Sequence, residues 1–241
     1  MKRAERHHLK ENEFASLALS VKEAFVTRRV QSIGTLVAVV AVLGALVGYV
    51  AWRGRIQARA DTLLAEALSL EEARVGPPPL PGTPSTGLSF ATERERQQAM
   101  QSKFKAVADE FPSTAAGIFA RYREGASLVA LGSPAEAVKA YQQAVDRGGD
   151  SLYGQMARLG LAEAQARAGE YDRAIETFQG LTQGAEGPLP LDGLLMQLGR
   201  TYLEAGKPAE AQQTFNRIVE EFPNSPFSGE ARRQLDSLNE T

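Results

Sequence analysis

The chain has 241 residues, no cysteine, two histidines and a formal net charge of −2. The absence of cysteine excludes disulfides, thiol chemistry and lipid attachment through a cysteine. Residues 1–59 carry ten Lys and Arg against four Asp and Glu, whereas residues 60–241 carry seventeen against twenty-five, a net charge of −8. Because phosphate contacts require a basic surface, this acidic part is not expected to bind nucleic acid.

The composition favours an all-α fold. Hydrophobic residues make up 43% of the chain but aromatic residues only 7%, and Ala and Leu predominate over the β-branched residues that suit strands. The tail and anchor take up about 60 residues. The acidic part that follows has roughly 180 residues, which is long enough for one elongated domain.

Residues 30–53 are predicted to form a single transmembrane helix. Ile33 to Trp52 are twenty consecutive residues without a charge, and at about 1.5 Å of rise per residue such a helix spans roughly 30 Å, the thickness of a bilayer's hydrocarbon core. Tyr49 and Trp52 are aromatic residues of the kind found at membrane interfaces. A cleaved signal peptide is the alternative, but the long basic segment before this stretch favours an uncleaved anchor.

The distribution of basic residues predicts the orientation of this anchor. Seven Lys and Arg precede it, whereas three arginines follow it before acidic residues become frequent. Since cytoplasmic flanks carry the excess of Lys and Arg, residues 1–29 are expected in the cytoplasm and residues 60–241 on the other side of the membrane.

Two features of the tail and anchor suggest contacts with partners. Phe14, Leu17 and Val21 recur at helical spacing, so the tail contains a short amphipathic helix that could lie on the inner leaflet or dock on a cytosolic protein; a weakly ordered tail is the other interpretation. Gly44 and Gly48 form a GxxxG motif, which permits close contact with a second copy of the chain or with another membrane helix.

Beyond the anchor, residues 60–74 are predicted to form the first helix outside the cytoplasm and residues 75–89 a loop. The stretch from Ala60 to Ala73 keeps a helical period of apolar residues. Five prolines and three glycines between Gly76 and Gly87 cannot propagate a helix, so an exposed extended loop is expected.

Residues 90–225 repeat with a period of 37 residues. A small residue, replaced by Met100 in the first repeat, is followed four positions later by an aromatic residue and three positions after that by an aliphatic one. Together the three residues form one stripe of a helix. The three columns are Met100, Ala137, Ala174 and Ala211; Phe104, Tyr141, Phe178 and Phe215; and Val107, Ala144, Leu181 and Ile218.

The residues before each stripe predict a helical hairpin. An apolar helix and a turn glycine, at Gly132, Gly169 and Gly206, precede the second, third and fourth stripes. One hairpin cannot bury both of its faces, so the hairpins are expected to stack into an α-solenoid. Residues 226–241 are predicted to form a terminal capping helix with Leu235 and Leu238 inward.

This pattern resembles the tetratricopeptide repeat family. The last unit matches the family's pattern at Leu198, Gly199, Tyr202, Gly206, Ala211, Phe215, Ile218 and Pro223. Gln165 replaces the aromatic residue in the third unit, and the period of 37 exceeds the usual value of about 34. The first unit must take its leading helix from Ala60–Ala73, across the Pro-rich insert.

The resemblance implies a concave groove lined by the first helix of each unit. The family's register places these residues in it: Phe119, Tyr122, Ala126, Val129, Met156, Leu159, Glu163, Ala166, Met196, Arg200 and Leu203. The mostly apolar lining suits varied apolar partners; alternatively, several of these side chains pack between repeats and the groove is narrow. A clamp for a peptide carboxylate is not expected, because Arg200 alone matches the Asn, Lys and Arg set that such clamps use.

No catalytic, cofactor or metal site is predicted. His7 and His8 lie side by side without further ligands at metal spacing, and there is no Gly-rich phosphate loop after a strand. The acidic pairs lie in helices or at helix ends, where charged residues usually face solvent. The chain is therefore predicted to be an interaction protein, not an enzyme.

The layout of tail, anchor and repeats resembles the ancillary subunit family of the bacterial SecYEG translocon. The resemblance implies a single-pass inner-membrane protein whose periplasmic repeats contact the translocon, periplasmic chaperones or exported polypeptides. The tail is longer than is usual in that family, and the Pro-rich insert is additional. A second interpretation is an envelope-assembly scaffold, because the stretch EEFPNSPFSGEA resembles repeats of outer-membrane assembly and Tol–Pal-associated proteins.

Overall fold

The computed structural model describes residues 5–77, 87–183 and 189–240, with side chains from residue 37 onward. Within these ranges the chain forms nine α-helices and two strands of two residues each, which confirms the all-α class with one small exception. The elements are α1 (Glu5–Ser69), β1 (Arg74–Val75), β2 (Ser89–Phe90), α2 (Glu93–Glu110), α3 (Ala115–Ala130), α4 (Pro134–Gly148), α5 (Leu152–Arg167), α6 (Tyr171–Gln183), α7 (Leu191–Glu204), α8 (Pro208–Glu221) and α9 (Ser228–Asn239).

The chain divides into two compact units, Met1–Arg55 and Ile56–Thr241. In the first unit, the large apolar side chains from Val37 to Trp52 are 53% to 70% exposed. Helix α1 is the one helix of the described part that is long and apolar enough to cross a membrane, and none of its apolar window is buried. A core helix of a soluble protein would bury that window, so the exposure is compatible with a lipid-facing helix.

Helix α1 includes three segments that the sequence analysis predicted separately: the tail helix, the anchor and the first part of residues 60–74. The chain has no proline before Pro77, so no proline interrupts this helix. Helix α1 ends at Ser69, a few residues earlier than expected. The side chains of the tail, including Phe14, Leu17, Val21 and the two histidines, lie outside the described residues.

The ends of the Pro-rich insert pair as a short parallel sheet, which the predicted loop over 75–89 did not include. Arg74 lies opposite Ser89 and Val75 opposite Phe90, and the backbone N–H of Arg74 donates to the carbonyl of Leu88 at 3.1 Å. Two-residue strands are too short to show a periodic pattern. The central part of the insert, residues 78–86, lies outside the described residues.

The second unit is built from four helical hairpins and a final helix. Each hairpin after the first turns at a glycine with positive φ: +80° at Gly132, +79° at Gly169 and +70° at Gly206. At each turn the residue after the glycine donates its backbone N–H to a carbonyl five positions earlier, as Ser133 does to Leu128 at 2.9 Å. This closure requires a left-handed residue at the turn, which explains the glycine in each repeat.

The predicted stripes form the core of these hairpins. The four aromatic residues of the second column are at most 5% exposed, and the alanines of the first column are fully buried. In the first hairpin, Ala60 and Ala67 of α1 share a core cluster with Met100 and Phe104 of α2, across the insert. At the other end, α9 buries Ala231 against the cluster of α7 and α8, and Leu235 and Leu238 pack on it.

Candidate functional site

A groove opens between the leading helices α5 and α7, whereas α3 and α5 pack directly on each other. The close packing of α3 and α5 depends on two glycines. A Cβ atom on Gly160 of α5 would lie 2.5 Å from the Tyr141 ring, and one on Gly125 of α3 would lie 2.8 Å from it. Two glycines thus allow the ring to lie between closely spaced helices. The next unit has Gln197 where this one has Gly160, and Gln197 lines the groove between α5 and α7.

One half of this α5–α7 groove is polar. It encloses about 370 Å³ and is lined by Glu163, Ala166 and Arg167 of α5, by Gln197, Arg200, Thr201 and Glu204 of α7, and by the Phe178 ring. The Gln197 amide donates to the Glu163 carboxylate at 3.4 Å. These side chains provide hydrogen-bond donors and acceptors along the groove.

The other half is apolar and encloses about 190 Å³. Its apolar lining consists of Leu159, Leu189, Pro190, Gly193, Leu194, Met196 and Phe227, and it shares Glu163, Gln197 and Arg200 with the polar half. A Cβ atom on Gly193 would lie 3.5 Å from the Phe227 ring, so a small residue leaves room at this point. An apolar socket therefore adjoins a charged edge.

The charged groups at this edge differ in how well they are compensated. Burial raises the pKa of the Glu163 carboxyl above its usual range; the charge of Arg167 and the hydrogen bond from Gln197 oppose this effect but do not cancel it. Arg200 instead is paired with Glu230 of α9 at 2.5 Å. The edge therefore has a negative character centred on Glu163.

An aromatic cluster lies at the interface of α3 and α5. The rings of Phe119 and Tyr153 have centroids 4.9 Å apart, and Tyr122 lies 5.8 Å from Tyr141. The Arg123 guanidinium lies over the Phe119 ring at 5.9 Å. Burial raises the pKa of the Tyr141 hydroxyl. In the described part of the chain, this aromatic cluster lies where α3 packs on α5.

The residues predicted to line a groove have several environments. Leu159, Glu163, Met196 and Arg200 line the α5–α7 groove, with Met196 only 1% exposed and part of its floor. Phe119 and Tyr122 belong to the aromatic cluster. Ala166 also lines the polar half of the groove. Of the remaining members, Val129 packs on the core of the second hairpin and Leu203 on that of the last. Ala126 on α3 and Met156 on α5 are half-buried.

Two important groove residues are missing from the predicted set. Gln197 occupies the repeat position of Gly160, so a comparison of that column across units would have identified it. Phe227 follows the last repeat and contributes to the apolar half from outside the repeated pattern. Its contribution depends on how the segment before α9 folds back, which the sequence pattern does not encode.

A larger cavity of about 760 Å³ lies between α2, α3 and α4. Its central cation, Arg121, is paired with Asp109 and, at 2.5 Å, with Glu124. Because both carboxylates already satisfy this guanidinium, we assign these groups to the packing of α2 against α3.

Stacked helical hairpins with glycine turns and a groove along their leading helices define a repeat protein of the tetratricopeptide class. The chain belongs to the tetratricopeptide repeat-like domain family, whose sequence profile matches residues 31–240. Domains of this family typically act as non-catalytic modules that bind other proteins. The protein is therefore a tetratricopeptide repeat-like protein-interaction module.

Comparison with solved structures agrees with this fold. Two crystal structures of a Podosopora anserina protein with nearly identical TPR-like repeats, whose name refers to a kinesin light chain, superpose with a TM-score of 0.54 at 15% identity. They cover 61% of this chain and 79% and 80% of their own. YrrB, described as a TPR protein with an unusual peptide-binding site, covers 58% of this chain and 68% of its own at 20% identity and a TM-score of 0.47. Among curated proteins, no sequence matches this chain.

Proposed function

We propose that the protein is a membrane-tethered interaction module that binds extended segments of other proteins in its α5–α7 groove. The observation that carries this proposal is the groove itself, in which an apolar socket adjoins polar side chains of α5 and α7. Pockets of this composition bind an apolar side chain while fixing the backbone that carries it.

The proposal places the anchor in the inner membrane of a bacterium, with the tail in the cytoplasm and the repeats in the periplasm. It is supported by the exposure of the apolar side chains of α1 and by the excess of Lys and Arg before the anchor. A Cβ atom on Gly44 or on Gly48 would have no other atom within 4 Å, so this surface of α1 is open to a second copy or to another membrane helix.

Within this setting we infer an ancillary role at the Sec translocon, with periplasmic chaperones or exported polypeptides as the proteins bound by the repeats. The layout of tail, anchor and repeats supports this role. An envelope-assembly scaffold is the alternative. Its support is that the stretch EEFPNSPFSGEA, which contains Phe222 and Pro223, resembles repeats of outer-membrane assembly and Tol–Pal-associated proteins.

Co-purification from gently solubilised membranes tests the proposal. The full chain, crosslinked in cells and isolated with an affinity tag, should be recovered from the membrane fraction together with translocon subunits. Filling the socket with Gly193→Phe should reduce capture of groove-bound proteins without changing recovery of the chain. Gly180→Phe is the matched control, since Gly180 is exposed on α6.

The identity of the recovered proteins decides between the two roles. Outer-membrane assembly or cell-division proteins without translocon subunits would favour the scaffold. A chain found entirely in the soluble fraction would contradict the tether, and a capture pattern identical for wild type and Gly193→Phe would contradict the groove.

A further inference from the structure

The α5–α7 groove contains a half-buried carboxylate that lacks the partner its counterparts have. Five of the glutamates whose side chains the structure describes are buried or half-buried. Four of them have an arginine at ion-pair distance: Glu71 with Arg123, Glu124 with Arg121, Glu170 with Arg173 and Glu230 with Arg200. Glu163 is the exception.

The surroundings of Glu163 do not replace that missing arginine. Its hydrogen bond comes from the neutral Gln197 amide and is long, at 3.4 Å. Arg167, one turn further along α5, acts on it through its charge without a hydrogen bond. Arg200 lies in the same groove but is held by Glu230 at 2.5 Å. A carboxylate removed from water without a close cation is destabilised in its charged form.

The apolar half of the groove lies directly beside this carboxylate, because Glu163 contributes to the lining of both halves. Leu159 is one turn before Glu163 on α5, and Phe227 closes the socket from the segment before α9. In an extended peptide, side chains two residues apart project to the same side at a separation of about 7 Å. One peptide can therefore fill the socket and reach the carboxylate together.

We propose that the groove selects an extended segment in which an apolar side chain fills the socket and a nearby lysine or arginine pairs with Glu163. This inference rests on the proposed function and adds the chemistry of the segment that is bound. An acidic segment is disfavoured, because its carboxylate would meet Glu163 and would have to displace Glu230 from Arg200. The ligand is thus apolar and cationic, which is complementary to the charge of the groove.

Defined peptides provide the test. Fluorescein-labelled Gly-Ser-Gly-Leu-Ser-Lys-Gly-Ser-Gly is titrated with the full chain in detergent micelles, beside two matched peptides in which Glu replaces Lys or Gly replaces Leu. We expect the Leu–Lys peptide to bind about tenfold more tightly than the Leu–Glu peptide, a ratio that corresponds to about 1.4 kcal/mol. Glu163→Gln should abolish this preference while retaining binding of both leucine peptides.

Glu176→Gln is the matched control, since Glu176 is exposed on α6 and should leave every affinity unchanged. Equal binding of the Lys and Glu peptides, or a Lys preference that survives in Glu163→Gln, would overturn the inference while leaving binding in the groove intact. Failure of both leucine peptides to bind better than the peptide without leucine would instead count against the proposed function itself. Circular dichroism of each variant verifies that the fold is retained.

Discussion

At the scale of single residues, glycine determines how closely the leading helices approach the aromatic residues of the second helices. A Cβ atom on Gly199 would lie 2.4 Å from the Phe215 ring, as Gly125 and Gly160 would contact Tyr141. Such distances are far below van der Waals contact, and both rings are buried. The family's small residue at the repeat position of Gly125 and Gly199 is therefore a requirement of packing between the helices, not of backbone conformation.

Gly160→Ala should destabilise the protein by about 1–3 kcal/mol, because the added methyl group would push the Tyr141 ring against α3. Urea unfolding of the full chain in detergent, followed by circular dichroism, measures the change. Gly180→Ala on α6 is the control: no atom lies within 4 Å of its Cβ position, so it should stabilise helix α6 by about 0.5–1 kcal/mol. Similar effects of the two substitutions would contradict this account.

Another residue shows how a departure from the family pattern is accommodated. Gln165 stands where the family has an aromatic residue, and it is only 3% exposed. The Thr177 hydroxyl of α6 donates to its side-chain carbonyl at 2.9 Å. A buried amide is tolerated when it is hydrogen-bonded. At the same position in the last unit, the Tyr202 hydroxyl accepts from Gln179 at 2.7 Å.

At the scale of elements, an ionic network joins α2 to α3. Arg121 of α3 is paired with Asp109 of α2 and with Glu124, and its side chain is 12% exposed while that of Glu124 is 7% exposed. Gln101 of α2 also donates to Glu124 at 3.3 Å. Hydrogen bonds from Lys105 and Arg121 lower the pKa of Asp109. The stability from that carboxylate is therefore present above its unfolded pKa and is lost as the pH falls through its lower folded pKa.

Arg121→Met should destabilise the protein by about 3–5 kcal/mol, because it leaves the buried Glu124 carboxylate without a cation. Adding Glu124→Gln to the same chain should recover most of that loss. Thermal unfolding of the single and double variants gives the comparison. The pair of Arg173 on α6 and Glu170 just before that helix supplies the control, because their side chains are 61% and 35% exposed: Arg173→Met should change stability by less than about 1 kcal/mol. A double variant no more stable than Arg121→Met would show that the charge of Glu124 is not the cause.

At the scale of the whole molecule, an apolar helix and an acidic repeat unit occur in one chain. The first unit exposes its large apolar side chains, whereas the second buries its apolar stripes in three core clusters. These two surfaces suit different solvents, because lipid favours exposed apolar side chains and water does not. The two units of the chain therefore match the proposed arrangement, with the first unit in the membrane and the second in water.

Cysteine labelling tests the proposed orientation, since the chain has no cysteine of its own. Ser237 is exposed on α9, and in spheroplasts Ser237→Cys should react with a membrane-impermeant maleimide. Ser16→Cys in the tail should react only after lysis, because the excess of Lys and Arg before the anchor retains the tail in the cytoplasm. The reverse pattern would contradict the orientation, and a cytosolic protein with a reactive cysteine controls for leakage.

The sequence by itself determined the helical class, the hairpins and their turns. The apolar stripes and Gly132, Gly169 and Gly206 are local signals, because a helix period and a left-handed turn depend on neighbouring residues alone. The two short strands were not predictable in this way, since their pairing joins residues on either side of the insert. The end of α1 at Ser69 lies a few residues before the first of these strands.

Tertiary structure alone decided which part of the leading-helix surface forms a groove. The family register placed four residues alike in the groove. Glu163 and Arg200 lie at the edge of the α5–α7 groove, whereas Phe119 and Tyr122 belong to the aromatic cluster between α3 and α5. The side chains that line the groove come from different units, as Glu163 of α5 and Gln197 of α7 do. The partner of a charge is decided in the same way. Arg200 of α7 pairs with Glu230 of α9, so Glu163, which lines the same groove, has no arginine at ion-pair distance in the described part of the chain.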